Sequence, residues 1–235
     1  MTAATTPFPP VPHPPNWPLD WPAIDRAFPE LQELAGCPQD PRWHAEGDVL
    51  THTRLVAAAL VDDPAWRALD PDPRTLVFLA ALLHDLEKPA TTRERDGRIV
   101  TPHHAPRGAR RARWLLHHRL AAHGQPLALP DREAMVELIR RHTAPVHVAH
   151  RPDPARAVIT LSWQVRCDWL ALLARADLRG RQADDLDEKL AAIDLFEDLA
   201  REQRCWDHAR PFASPQTRFA YFQGSGVSED ASPWQ

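Results

Sequence analysis

The sequence predicts an all-α fold. Apolar residues recur at helical spacing through most of the chain, Asp and Pro mark helix starts, and no succession of strand-like segments occurs. The 235 residues suit one domain, or one domain with tails. We place a Pro-rich tail at 1–20, a helical domain at 21–210 and an irregular C-terminal stretch at 211–235.

The phrase TPFPPVPHPPNWP predicts a loose, extended N-terminus, disordered or draped over the surface, with a Pro-rich ligand for a recognition domain as the alternative. A short helix is expected over 24–35, followed by a Pro-broken stretch into Trp43 and His44. Asp48 is a natural N-cap for VLTHTRLVAAALV. Asp72-Pro73 opens RTLVFLAALLHDL, apolar nearly all round and therefore the buried central helix, and Pro89 ends it. RERDGRIV reads as a short hairpin turning at Asp96-Gly97. Further helices are expected at about 105–122, 131–141, 158–179 and 184–204. From Pro211 the pattern becomes irregular.

A net charge of −4 lacks the footprint of a duplex-binding protein, although a local basic patch is compatible with it. The longest apolar run, Leu76 to Leu83, is too short to span a bilayer, so no membrane association is expected. No basic-then-apolar leader opens the chain. Cys37, Cys167 and Cys205 are odd in number and widely spaced, which argues against a disulfide framework or a zinc finger. Together these features predict a cytoplasmic protein.

The chemistry is expected at His84-Asp85, where the buried helix ends. An ionised Asp there is costly unless paired or bound to a cation, and the negative end of the helix dipole adds to that cost. A metal ion resolves both problems. The plain alternative is that His84 caps the helix and Asp85 pairs with Lys88. His52 on the preceding helix and Asp177 late in the chain, in LLARADLRGR, complete a set of two His and two Asp from three helices. Imidazole with carboxylate suits Mn, Fe, Co, Ni or Zn. His104 and His142 could hold a second ion with Asp85 bridging, and paired ions are a standard arrangement for phosphoester hydrolysis. The alternative for these two is a surface location.

The phrases HAEGDVLTHT, ALLHDLEKP, PHHAPRGAR, IRRHT and ARADLRGR, in that order, resemble the successive motifs of the HD phosphohydrolase superfamily over roughly residues 25–205. The resemblance is closest to the HD half of bifunctional HD phosphohydrolase–polynucleotide kinases and to the HD domains of bacterial tRNA nucleotidyltransferases. It implies an HD-type helical bundle with a short hairpin insertion and extended tails. It also implies metal ligands at His52, His84, Asp85 and Asp177, with His104 and His142 for a second ion. Glu87 stands where the family's motif has Gly, and His103 stands where such families often have Gly, leaving His103 and His104 as competing ligands. No GxxxxGK[ST] occurs, which leaves either a stand-alone relative, with a separate kinase or ligase as partner, or a chain cut before such a domain, and RFAYFQGSG resembles a linker remnant.

For substrate, Lys88 can neutralise a phosphate, and Arg140 and Arg141 beside His142 are further phosphate candidates. Arg107, Arg110, Arg111 and Arg113 make the helix after His104 basic, as a guide for a nucleotide or RNA end or simply as a solvated face. His147 and Trp43 are candidates to line the pocket. His44, Glu46 and Asp48 are candidates to orient His52, with Asp48 also explained as an N-cap. The expected function is hydrolysis of phosphoesters of nucleotides or RNA ends, as a phosphodiesterase or phosphomonoesterase, by metal-activated water with Asp85 and Lys88 catalytic. The resemblance implies a cyclic phosphodiester or terminal phosphate on RNA. The alternative is an RNA- or tRNA-binding module whose metal is structural.

Overall fold

A computed structural model describes residues 11–121 and 127–223 and shows an all-α bundle. In order, the elements are α1 (Trp21–Ala27), α2 (Val49–Asp62), α3 (Pro64–Arg67), α4 (Pro71–Leu83), α5 (Lys88–Thr91), β1 (Arg93–Arg95) and β2 (Arg98–Val100). Then follow α6 (His104–Leu115), α7 (Leu129–Arg141), α8 (Ala144–His147), α9 (Pro154–Ser162), α10 (Cys167–Arg179), α11 (Leu186–Glu202) and α12 (Pro215–Gln223). Helix α4 is fully enclosed from Leu76 to Leu83 and packs against α2, α7 and α10. An apolar surface all round requires such partners on every side. Among the described residues, no helix is long and apolar enough to cross a membrane, and the three cysteines are buried free thiols.

Local chemistry explains where the elements begin and end. The helix expected at 24–35 is divided: α1 stops at Phe28, and Pro29, which has no N–H to continue the ladder, opens a 3-10 turn over Pro29–Leu34. Asp48 caps α2 through Oδ1, which accepts the Thr51 amide at 2.8 Å, while Oδ2 accepts the Gly36 amide at 2.7 Å. Helix α4 starts with Pro71 in its first turn, earlier than the Asp72-Pro73 expected. Pro89 does not end α4. The chain turns through His84–Glu87, and Pro89 sits in the first turn of α5, where no amide partner is required.

The hairpin forms as expected, with Asp96 at φ 53° and Gly97 at φ 69°, the pair of left-handed residues that a tight two-residue turn demands. The stretch expected as one helix over 158–179 breaks at Gln164 and Val165, whose amides both return to the Leu161 carbonyl. Helix α6 passes into a wider π turn over Leu116–Leu120.

Where they are described, the N-terminal tail is draped on the domain and the C-terminal stretch departs from expectation. Residues 11–20 are not loose: Trp17 meets Trp66 edge-on at 5.7 Å and is flanked by the guanidinium groups of Arg67 and Arg74, at 5.4 and 5.2 Å from its ring. Residues 215–223 are helical rather than irregular. Residues 1–10 and 224–235, including the end of the expected linker remnant, lie outside the described residues, as do 122–126.

Candidate metal centre

Three histidines at helix ends share one construction. His84, His104 and His142 each place Nδ1 at 2.8 Å from the carbonyl three residues earlier, those of Ala81, Thr101 and Ile139. An Nδ1–H donated to that carbonyl leaves Nε2 as the lone-pair nitrogen. His52 reaches the same state by another route. Its Nδ1 lies 2.9 Å from Glu46 Oε1 and 3.4 Å from the Gly180 carbonyl. All four rings thus present Nε2 toward Asp85 or Asp177.

Asp85 lies between them, 1% exposed. Its Oδ2 is 3.1 Å from His84 Nε2 and 3.8 Å from His52 Nε2, and its Oδ1 is 3.6 Å from His104 Nε2. His104 and His142 face each other with their Nε2 atoms 3.4 Å apart. Asp177 Oδ1 is 3.0 Å from His52 Nε2 and 3.9 Å from His84 Nε2. Two donor sets result, each with its ligand atoms within 4.8 Å of one another: His52, His84, Asp85, and Asp85, His104, His142.

A cation fits this arrangement. His84 Nε2 and Asp85 Oδ1 are buried and have no hydrogen-bond partner, and Asp85 Oδ2 has Lys88 Nζ as an ion-pair partner at 2.8 Å. Orphaned buried acceptors of this kind cost stability unless a proton or metal sits among them. Buried His/Asp groups can therefore hold a metal ion here, and the nitrogen and oxygen donors suit a divalent transition metal.

The charge states of Asp85, Asp177, His104 and His142 agree with ligand duty. Burial works against the Asp85 carboxylate, but His84 and Lys88 outweigh it and hold its pKa well below the usual range. Asp177 is likewise held well down against its burial by Arg181 and His52. Burial pushes His142 down to about 3 and lowers His104, so both rings are neutral and available as ligands near neutral pH. For His52 burial is outweighed by Asp177 and Glu46, and the net shift is upward.

A further ring of contacts fixes the ligands. Glu46 Oε1 accepts from His44 Nδ1 at 2.7 Å as well as facing His52, and Oε2 accepts the Gln182 amide at 2.9 Å. Despite its burial, these contacts bring Glu46 down to about 2. Arg181 clamps Asp177 from both sides, Nη2 to Oδ2 at 2.5 Å and Nε to Oδ1 at 3.3 Å. Close backbone approach makes the convergence possible: a Cβ on Gly180 would lie 2.8 Å from Val56 N, so only glycine lets the end of α10 reach α2. Between His103 and His104, only His104 reaches Asp85; His103 is exposed at φ 60°, a region that favours glycine.

Above the ligands lies a cavity of about 420 Å³, walled by the 39–44 loop, the hairpin's second strand and the residues following it, Lys88, Arg181 and Lys189. Lys88 lines it, with Nζ donating to Gln39 Oε1 at 2.7 Å. The other expected substrate residues do not line it. Arg107 turns to Glu87 at 3.1 Å, and Arg140 and Arg141 turn to Glu137 at 2.9 and 3.5 Å. Carboxylates three or four residues away on the same helix, or just before α5, take these arginines away from the site. His147 also stays outside the cavity wall.

Arg181, Arg98, Lys189 and Gln39 were not expected. Arg181 carried a signal, lying four residues after Asp177, just past the end of α10. The other three reach the site only through tertiary packing.

No family model matches the chain. The chain is similar to the multifunctional CCA proteins of two strains of Xanthomonas campestris pv. campestris, each 33% identical over 170 residues, 68% of this chain and 36% of the relative. It is also similar to the multifunctional CCA protein of Methylococcus capsulatus, 43% identical over 72 residues, 31% of this chain and 15% of the relative. The chain thus spans about a third or less of the length of these curated relatives.

Proposed function

We propose that residues 21–210 form an HD-type metal-dependent phosphohydrolase domain that cleaves phosphoesters of nucleotides or RNA ends. Asp85 carries this reading: it is buried, paired with Lys88, and set between two groups of histidines that all present Nε2. In this proposal His52, His84, Asp85 and Asp177 hold one divalent ion, and Asp85, His104 and His142 hold a second. Similarity to multifunctional CCA proteins supports an RNA-related enzyme, and the order of the motifs supports the HD class.

Bound at this position, divalent ions would acidify a water and draw charge from the phosphoryl oxygens. The chain's own residues do the rest. Lys88, held between Asp85 and Gln39, puts a fixed ammonium at the cavity floor to neutralise a phosphate oxygen. Arg181 keeps Asp177 from rotating out of the ligand set. Glu46 holds His52 in the tautomer that offers Nε2.

The test is turnover of bis-p-nitrophenyl phosphate, p-nitrophenyl phosphate and 3′-phosphorylated or cyclic-ended oligoribonucleotides by metal-stripped protein reloaded with Mn, Fe, Co, Ni or Zn. We expect turnover with at least one metal, and its loss together with bound metal in Asp85→Ala. Folded, metal-loaded protein that turns over none of these esters would refute the proposal and favour an RNA-binding module with a structural metal.

A further inference from the structure

We infer that the hairpin β1–β2, with Trp43 opposite, guides a single-stranded polynucleotide into the metal cavity, so that the domain selects chain ends over free nucleotides. This inference rests on the function proposed above. Five cationic side chains other than histidine line the cavity, and four are committed: Lys88 to Asp85, Arg181 to Asp177, Arg42 to Asp40 at 2.6 Å, and Lys189 to Asp185 at 2.8 Å. Among the described residues, Arg98 alone of the five forms no ion pair. Its neighbour Asp40 is already held by Arg42 through both oxygens.

The register of the hairpin extends the observation. Arg95 lies directly opposite Arg98, and Arg93 opposite Val100, so three guanidinium groups share one face; Arg95 also lies 3.6 Å from Asp96, and Arg98, Ile99 and Val100 line the cavity. Like charges directly opposed across two strands destabilise a hairpin. Anions passing along that face would relieve the repulsion. In the function proposed above, one phosphate is met at the cavity floor by Lys88. A row of arginines leading outward therefore matches successive phosphates of a chain rather than a single nucleotide.

Trp43 supplies the other contact. It lines the cavity with 43% of its surface exposed and with Lys189 Nζ 5.1 Å from its ring centre. An exposed indole beside a phosphate channel is a stacking platform for a base of any identity.

The experiment is fluorescence anisotropy of 5′-fluorescein hexa-adenylate carrying a 3′-phosphate, on metal-loaded protein across a salt series. Unlabelled hexamer, adenosine 3′-monophosphate and ATP serve as competitors. We expect the hexamer to compete at least tenfold better than either nucleotide. Arg98→Ala should weaken hexamer binding about fivefold and reduce the salt slope by roughly one phosphate contact, with Arg98→Lys restoring the slope. Trp43→Ala should weaken hexamer and monophosphate alike. Arg98 is exposed on the hairpin, so a folding defect is not expected, and circular dichroism checks it. Equal competition by the monophosphate, tighter binding of ATP, or an unchanged salt slope in Arg98→Ala would each overturn the guide. If the hexamer behaves as expected but no ester is turned over, the guide stands and the hydrolase reading falls. If esters are turned over without hexamer preference, the guide falls alone.

Discussion

Gly180→Ala probes whether the metal centre depends on one close helix approach. Gly180 caps α10 at φ −77°, a conformation alanine adopts without strain, so the backbone alone favours the substitution by about 0.4–1 kcal/mol. Packing opposes it. The added Cβ would stand 2.6 Å from Val56 Cγ2, 2.8 Å from Val56 N and 3.1 Å from Val56 Cα. The first contact can yield by a rotamer change, but the other two are backbone of α2 and yield only if the helices separate. Overpacking of this kind costs about 1–3 kcal/mol, and backbone contact places it in the upper half, for a net loss of about 2 kcal/mol. For a protein of this size that lowers Tm by about 4–8 °C.

The same separation moves His52 on α2 away from Asp177 on α10, now 3.0 Å apart, and shifts the Gly180 carbonyl from His52 Nδ1. Metal affinity should therefore fall by about tenfold or more. Calorimetry of the metal-free protein and titration with Zn or Mn read the two effects separately. A Tm that rises, as the backbone term alone requires, together with unchanged metal affinity, would refute the reasoning.

Other perturbations test neighbouring links. Glu46→Gln removes the carboxylate that faces both His44 and His52, and metal affinity measured by competition with a chelator should drop by about 10–100-fold while the helical circular dichroism signal holds. Asp48→Ala removes the cap of α2 and the Gly36 contact, lowering stability in urea by about 1–2 kcal/mol at neutral pH. Burial raises the Asp48 pKa, but the Gly36 and Thr51 amides prevail and hold it below its ordinary value. Its stabilisation is thus full above the unfolded carboxyl pKa of about 3.9 and lost as pH falls through the lower folded value, so wild type and variant should converge in acid. A gap that widens on acidification would contradict this sign. Chelation of bound metal should lower Tm, by the equivalent of about 2.7 kcal/mol relative to free metal at roughly 100 times Kd, because the donor set exists only in the folded chain.

Much of the fold was legible because its signals are local. The Asp48 cap, the Asp96-Gly97 turn and the apolar run of α4 each depend on residues a few positions apart, and each appears where the sequence placed it. Misplaced boundaries also have local causes. Pro89 looked like a terminator and is the first turn of α5, because proline fits the start of a helix as well as the position after one. The docking of Trp17 on Trp66 was not legible, since nothing within the Pro-rich stretch reveals the slot that receives it.

The sequence by itself determined the all-α class, the hairpin and the residue types assembled around Asp85, because helical periodicity, turn chemistry and donor atoms are properties of short stretches. Only the tertiary structure decided which of those residues meet. His104 faces Asp85 while its neighbour His103 turns to solvent; Arg140 and Arg141 spend their charge on Glu137; Arg98 and Lys189, far apart in the chain, share one cavity wall. The physical reason is that ligand geometry and ion pairing act over a few ångströms, and helix packing alone brings residues distant in sequence within that range.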